Sequence, residues 1–225
     1  LAPDYPAGKD ALNGFKRGYK LAPNQEVYTK LGQIDYAAEL AQIRDVKPDA
    51  IYIFLPGGMG INFVKQFVSA GLNKSVKLVG PGFSADEDVI QAVGEPLIGM
   101  FNTAQWAHDL DNSQNKQFVE AFRKEYNNRY PAVYAAQAYD TIMAIDAAVK
   151  ATGGKVADRD AVIAALKKAD FSSVRGPFKY GFNNFPIQPL YVRVVEKGAD
   201  GRITNKLVGK VFDSYQDVYV GECKK

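Results

Sequence analysis

The chemistry open to this chain is restricted by its single histidine and single cysteine. To act as a general base, His108 would need a nucleophile and an orienting partner, and the sequence contains no Gly-x-Ser-x-Gly nucleophile elbow. Its neighbour Asp109 favours a solvated pair in a hinge instead. One thiol and one imidazole are too few for most metal sites. We therefore expect a binding protein, with a small enzyme that works through carboxylates as the alternative.

A glycine-rich turn at residues 56–60 (PGGMG) follows an apolar run of strand length and precedes a predicted helix. Backbone N–H groups at such a turn, helped by the helix dipole, can bind anions. The turn lacks both the Gly-Lys-Ser/Thr of a phosphate loop and the G-x-G-x-x-G spacing of a dinucleotide site. Two interpretations stay open, a site for a polar or carboxylate group and a plain tight turn.

Four aromatic residues lie at turns or helix starts rather than at the periodic positions of a core: Tyr5, Phe83, Trp106 and Tyr134. Aromatic side chains at the mouth of a crevice provide apolar walls for small ligands. Packing in the core is an equal alternative for each of them. The acidic run Asp86–Asp88 lies where a helix is predicted to start, so it favours interaction with the helix dipole over an acid–base pair.

The first hundred residues alternate between predicted strands and helices. Helical spacing covers 7–22, 35–47, 61–70 and 86–93, and strand-like runs occur at 26–31, 50–55 and 76–79. This alternation predicts a doubly wound parallel α/β sheet, in which ligands bind at the carboxyl ends of the strands. We therefore expect the site at the turns after Leu55 and Val79. Because no full strand precedes the first helix, we also expect the chain to begin within a domain.

The second half is predicted to form helices over 114–127, 133–152 and 159–169, after an irregular stretch at 101–110, and β-structure over 178–220. The 225 residues are 47% hydrophobic with a net charge of +3, which indicates one or two globular domains. No apolar run approaches the roughly 18 residues of a membrane span. The thinly spread positive charge does not form the basic stripe of a nucleic-acid-binding protein.

Seven short segments occur in a recognisable order along almost the whole chain. They are residues 4–8 (DYPAG), 32–36 (GQIDY), 47–50 (KPDA), 67–72 (FVSAGL), 80–83 (GPGF), 134–140 (YAAQAYD) and 174–178 (VRGPF). Together they resemble the type I periplasmic solute-binding proteins of branched-chain amino acid (Leu/Ile/Val) ABC importers. Each segment alone is weak evidence of the family, and the order of all seven makes the match specific.

The resemblance implies an α/β fold of the type I periplasmic-binding-protein kind, with two doubly wound parallel-sheet lobes joined by a three-strand hinge. One lobe is expected to be incomplete, because roughly the first third of the family pattern is missing. Residues 1–101 would be the first part of the C-terminal ligand-binding lobe, and 102–188 the returning part of the N-terminal lobe. Residues 189–225 would cross back to the C-terminal lobe and form a tail.

The resemblance also implies a function and a location. It implies a monomeric periplasmic protein, not an enzyme, that captures a small carboxylate by lobe closure without a cofactor or metal and delivers it to the membrane permease of an ABC importer. Family members are exported, which implies a signal peptide in the precursor. It also suggests that Cys223 had a disulfide partner upstream.

The family's ligand-binding positions, matched one at a time to this sequence, imply a ligand site. With Trp106 added for its aromatic character, the expected contacts are Tyr5, Leu55, Pro56, Gly57, Gly82, Phe83, Trp106 and Tyr134. The turn at 55–57 often offers an aromatic side chain in the family, and none is expected there in this chain.

The position of Gly82 decides the expected ligand class. In amino-acid binders of this family it is typically a glutamate that pairs with the ligand's α-ammonium. A buried ammonium without a counter-charge costs several kcal/mol. Gly82 followed by Phe83 therefore favours an aromatic acid, such as a benzoate or cinnamate derivative. Asp86 is the acid that would reverse this preference.

Two functions other than aromatic-acid transport are weighed beside it. The first is the binding of branched-chain or other amino acids within the same family. The second is a ligand-sensing receptor ectodomain on the same fold. The small carboxylate enzyme remains a third, and turnover of a ligand would distinguish it.

Overall fold

The computed structural model describes residues 1–223, which contain seven α-helices and eight β-strands. The helices are α1 (Pro6–Tyr19), α2 (Ala37–Val46), α3 (Gly58–Ser69), α4 (Glu87–Val93), α5 (Ser113–Glu125), α6 (Val133–Ala151) and α7 (Arg159–Lys168). The strands are β1 (Ala2–Pro3), β2 (Tyr28–Thr29), β3 (Ala50–Tyr52), β4 (Lys77–Pro81), β5 (Phe101–Ala104), β6 (Lys179–Tyr180), β7 (Pro186–Lys197) and β8 (Ile203–Tyr215). None of the helices in this part of the chain is long and apolar enough to cross a membrane.

The first compact unit comprises Leu1–Thr103 and Val194–Asn205. Its strands β1 and β2 pair in parallel, and so do β3, β4 and β5 in that order. The backbone of Leu1 joins the two groups, since its N–H donates to Tyr52 O at 2.8 Å and its carbonyl accepts from Phe54 N at 2.9 Å. The predicted parallel α/β alternation is confirmed. The strand that precedes the first helix, β1, has only two residues.

The core of the first unit lies where α2, α3 and α4 pack on the sheet. Among its fully buried side chains are Tyr36, Phe63 and Phe67, with Tyr36 packed edge-on to Phe63. The helices approach the strand ends closely at two glycines. A Cβ on Gly8 would lie 2.0 Å from Pro3 O, and one on Gly60 would lie 2.5 Å from the carbonyl oxygen of Leu55. A side chain at either position would push its helix away from the strand that precedes it.

The second compact unit comprises Ala104–Arg193 and the residues from Lys206 onwards. Its apolar core contains Trp106, Phe118 and Val174. Beside this core, the buried carboxylate of Asp140 forms an ion pair with Arg175 at 2.7 Å. In this unit β6 pairs antiparallel with β7.

The chain passes between the two units three times, after Thr103, Arg193 and Asn205. Within the segment 189–225, residues 194–205 lie in the first unit, and β8 continues into the second unit after Asn205. Residues 224–225 lie outside the described residues. How these units correspond to the lobes of a longer protein remains a prediction.

Several predicted elements have different bounds in the structure. The apolar run 50–55 pairs as a strand only over Ala50–Tyr52. The stretch 101–110, expected to be irregular, begins with β5, and its burial alternates along Phe101–Ala104. The helices predicted over 114–127, 133–152 and 159–169 are present as α5, α6 and α7.

Candidate functional site

The carboxyl ends of β1, β3 and β4 lie along one edge of the first unit's sheet, because these strands run parallel and side by side. Tyr5 follows β1, residues 53–57 follow β3, and Gly82 and Phe83 follow β4. We call these residues the carboxyl edge. It includes six of the eight predicted ligand residues, and it is the place where a parallel sheet binds ligands.

An aromatic pair forms at the carboxyl edge between Phe54 and Phe83. Their ring centroids are 5.2 Å apart and their planes meet at 86°, the edge-to-face arrangement that aromatic pairs favour. Both side chains are partly exposed, whereas Ile53 and Leu55 are fully buried. The segment therefore keeps a strand's alternation of sides beyond the last paired residue. Phe54 thus offers an aromatic ring immediately before the turn at 55–57, which itself contains no aromatic residue.

The structure separates the roles of the predicted residues 55–57. Leu55 is fully buried in the apolar core, so its side chain supports the edge and does not face a ligand. Pro56 is partly exposed, and Gly57 is exposed immediately before α3. No side chain caps the amino end of α3. Since the first N–H groups of a helix have no partners within the helix, this turn can donate hydrogen bonds to a polar group.

A short 3-10 turn, Gly82–Ala85, carries Phe83 and leads into α4. Gly82 is buried and Phe83 is partly exposed. Asp86 follows at 5% exposure. Its carboxylate is thus the acidic group nearest in sequence to the position where a glutamate was expected in amino-acid binders.

Glu87 is a second buried acid next to this turn. It accepts a hydrogen bond from Thr204 Oγ at 2.9 Å and another from Asn205 N at 3.2 Å. Burial raises the pKa of Glu87, the hydrogen bonds from Thr204 and Asn205 oppose that rise, and the charge of Asp86 adds to it. Because its hydrogen bonds run to β8, Glu87 joins the turn to the rest of the unit and does not act as a free acid.

Trp106 and Tyr134 belong to the second unit and have different environments. Trp106 is 1% exposed, packs edge-on to Phe118 and donates its indole N–H to Asn115 Oδ1 at 2.6 Å. Asn115 also donates to the carbonyl of Leu110. Trp106 therefore packs in the core of the second unit, and its contact with a ligand stays a prediction. Tyr134 is 61% exposed at the start of α6, so its ring is accessible, and its contact with a ligand stays a prediction.

His108 and Cys223 take no part in the carboxyl edge. The imidazole of His108 packs on Tyr130 with ring centroids 4.2 Å apart, and the guanidinium of Arg123 lies 4.2 Å from the same tyrosine ring. Cys223 is an exposed free thiol, and its upstream disulfide partner stays a prediction. Within residues 1–223 no cluster of three or more His, Cys, Asp or Glu side chains is placed to hold a metal ion.

A cavity of about 320 Å³ in the first unit lies away from the carboxyl edge. Its walls include Leu12, Phe15, Ile43, Ala50 and Tyr52. None of the predicted ligand residues lines it, and Ala50 belongs to the amino end of β3. We therefore place the candidate ligand site at the carboxyl edge and not in this cavity.

Comparison with protein families gives one match over most of the chain. The family model for periplasmic binding proteins matches residues 1–201. A Leu/Ile/Val-binding protein homologue of Brucella melitensis is 33% identical over 224 residues, which cover 95% of this chain and 56% of the relative. The chain thus spans little more than half the length of the curated relatives that it matches.

Solved structures of solute-binding proteins share the fold. One from R. palustris, in complex with benzoate, is 33% identical with a TM-score of 0.87 over 100% of this chain and 60% of its own. One from Rhodopseudomonas palustris BisB5, in complex with 3,4-dihydroxybenzoic acid, is 36% identical, with a TM-score of 0.86. The match covers 99% of this chain and 61% of that protein. A leucine-binding protein from Thermotoga maritima, 22% identical with a TM-score of 0.73, shares the fold alone. The expected type I periplasmic-binding-protein fold, incomplete in one lobe, is confirmed.

Proposed function

The chain belongs to the periplasmic binding protein family, and from this premise we propose that its whole protein is the periplasmic solute-binding component of an ABC importer. The proposed ligand is a small aromatic carboxylate, such as a benzoate or hydroxybenzoate. The protein binds and releases this ligand and does not convert it. Its partner is the membrane permease of the importer, and it works as a monomer.

The aromatic pair Phe54 and Phe83 carries the choice of ligand. Two rings at 86° to each other form a corner, and a flat aromatic ligand that stacks on one ring can present its own edge to the face of the other. The glycine at position 82 adds no charge beside this corner. Related proteins of 33% and 36% identity are complexes with benzoate and 3,4-dihydroxybenzoic acid, which supports the same ligand class for this chain.

The mechanism follows from the three crossings of the chain between its units. A binding protein with an open and a closed form responds to a ligand that prefers the closed form by shifting its population towards that form. We propose that the aromatic acid first meets the carboxyl edge and that closure then buries it. The permease recognises the closed form, so only loaded protein delivers its ligand.

A second candidate is the binding of a branched-chain or other amino acid, favoured by the buried carboxylate of Asp86 and by the relatives named Leu/Ile/Val-binding protein homologues. In that function Asp86 would pair with the α-ammonium of the ligand. Asp86→Asn would then abolish amino-acid binding, whereas it would leave the affinity for benzoate largely unchanged.

Thermal-shift measurements on the full-length mature protein test the proposal. The panel contains benzoate, 4-hydroxybenzoate, 3,4-dihydroxybenzoate, hydroxycinnamates, leucine, valine and phenylalanine. A ligand present at 100 times its dissociation constant stabilises the native state by about 2.7 kcal/mol, which is enough for a clear shift. We expect the aromatic acids to raise the melting temperature and the amino acids to leave it unchanged. Stabilisation by leucine or valine alone would refute the aromatic ligand and leave the family assignment intact.

A further inference from the structure

We propose that Asn205 is a positioning residue that couples the turn carrying Phe83 to β5 and β8, the two strands through which the chain leaves the first unit. Ligand contact at Phe83 is transmitted to these strands through its side chain. The transmission step rests on the proposed function, whereas the coupling itself can be measured without a ligand.

Asn205 is 1% exposed and is the last residue of the first unit before β8 leaves it. Its Nδ2 donates to Ala85 O at 2.7 Å and to Glu87 Oε1 at 3.3 Å. Its Oδ1 accepts from Asn102 Nδ2 at 2.7 Å, and its backbone N donates to Glu87 Oε1 at 3.2 Å. Both ends of the amide are therefore engaged by different parts of the unit.

The partners of Asn205 connect regions that are distant in sequence. Asn102 is fully buried in β5, and the chain first leaves the unit after the next residue, Thr103. Ala85 ends the 3-10 turn that carries Phe83, and Glu87 begins α4. One side chain thus joins β5, β8 and the turn that carries Phe83, just before the two strands leave the first unit.

The polar character of this contact determines what it can transmit. Apolar packing tolerates small sliding movements, whereas a buried amide that loses its partners is left with an unsatisfied donor or acceptor at a cost of about 1–3 kcal/mol. If a bound ligand displaces the turn at Ala85, the hydrogen bonds of Asn205 favour a matching displacement of β5 and β8. Contiguous hydrogen-bond networks of this kind are one physical basis for coupling between sites.

The test compares Asn205→Ala with Thr204→Val in the full-length protein. Thr204 is also buried in β8 and donates to Glu87 from the neighbouring position, so its isosteric variant controls for the loss of a buried hydrogen bond near the same acid. The first measurement is hydrogen exchange of the ligand-free protein at residues 82–87 and 99–103. We expect Asn205→Ala to accelerate exchange at least fivefold in both segments, and Thr204→Val to accelerate it less than twofold at 99–103.

The second measurement is the affinity for benzoate by calorimetry. Coupling energies of this kind correspond to changes of about 5–150-fold, and we expect a loss of affinity of at least fivefold for Asn205→Ala and less than twofold for Thr204→Val. Faster exchange confined to β8 would overturn the coupling. An unchanged affinity for benzoate in a variant whose two segments have loosened would overturn the transmission of ligand contact through Asn205.

Two further results also bear on the proposal. If Asn205→Ala does not fold, Asn102→Ala removes the same link from β5, and it is then expected to accelerate exchange at 82–87, although no residue of that turn is altered. Unchanged exchange there overturns the proposal. If the wild-type protein fails to bind benzoate, the proposed ligand is wrong, and the exchange data on the ligand-free protein still decide whether the coupling exists.

Discussion

Replacing Asp140 by asparagine should destabilise the second unit strongly. The carboxylate of Asp140 accepts hydrogen bonds from Ser173 Oγ at 2.5 Å, Val174 N at 3.0 Å and Arg175 Nε at 2.7 Å. The side chain of Asp140 is fully buried and that of Arg175 is 8% exposed. The variant leaves the guanidinium without its counter-charge and points an amide N–H₂ towards one of these donors. Breaking a buried ion pair by removing one partner costs about 3–5 kcal/mol.

The control is Asp146→Asn on the same helix, α6. Asp146 pairs with Lys150 at 2.6 Å one turn further along, where the side chains are 45% and 75% exposed, respectively. Exposed pairs of this kind contribute about 0–1 kcal/mol. The two variants therefore make the same chemical change on one helix, and the expected effects differ mainly because of burial.

Urea denaturation, followed by circular dichroism and by the fluorescence of the buried Trp106, measures the free energy of unfolding. The expected loss for Asp140→Asn corresponds to a change of roughly 10²–10⁴-fold in the unfolding equilibrium constant. The double variant Asp140→Leu with Arg175→Met should recover part of the loss, because an apolar pair needs no counter-charge, although Ser173 Oγ and Val174 N still lose their acceptor. A loss for Asp140→Asn that is no larger than that for Asp146→Asn would refute the reasoning.

Three further predictions concern the first unit. Phe83→Ala should weaken benzoate binding about tenfold, or by about 1.4 kcal/mol, because it removes one wall of the aromatic corner. The control Phe185→Ala, in the second unit, should leave the affinity for benzoate unchanged. Equal affinities of the two variants by calorimetry would contradict the assigned site. Gly60→Ala should lower the free energy of unfolding by about 1–3 kcal/mol, since its Cβ would lie 2.5 Å from a backbone oxygen. Gly18→Ala, whose Cβ would have no atom within 4 Å, should be neutral or stabilising in the same denaturation assay. The raised pKa of Glu87 means that the native state takes up its proton before the unfolded chain does as the pH falls. As the pH falls from 7 to 4.5, the ordinary pKa of glutamate, the unfolding free energy of the wild type should therefore rise relative to that of Glu87→Gln. Parallel pH profiles of the two proteins would count against this assignment.

The helices could be predicted because they depend on local sequence, and the candidate site was placed from the order of the elements. Apolar residues at helical spacing define α1, α5 and α6 without information from elsewhere in the chain, and the turn after β4 ends a run that is strand-like by itself. The parallel arrangement then follows from the order of the elements, which places the turns after β3 and β4 at one edge.

The environments of Phe54 and Trp106 could not be decided from the sequence, for a different reason. In the apolar run 50–55 every side chain looks fit for burial, so the sequence does not reveal that Phe54 turns away from the core while Ile53 and Leu55 turn inwards. Trp106 lies at the end of a strand, as a ligand contact would, but its N–H meets Asn115 on the following helix. Both roles depend on tertiary contacts, which neither residue type nor spacing encodes.

The three crossings have a consequence for the order in which the protein is made. The first unit needs Val194–Asn205 for completion, and Val195 in this segment exchanges backbone hydrogen bonds with Gly99 and Met100. These residues leave the ribosome only after α5, α6 and α7 have emerged. The helices of the second unit, which rely on contacts close in sequence, can therefore form before the sheet of the first unit closes. Because non-local pairing slows folding, we expect the pairing of Val194–Asn205 with the rest of the first unit to be among the last contacts of the chain to form.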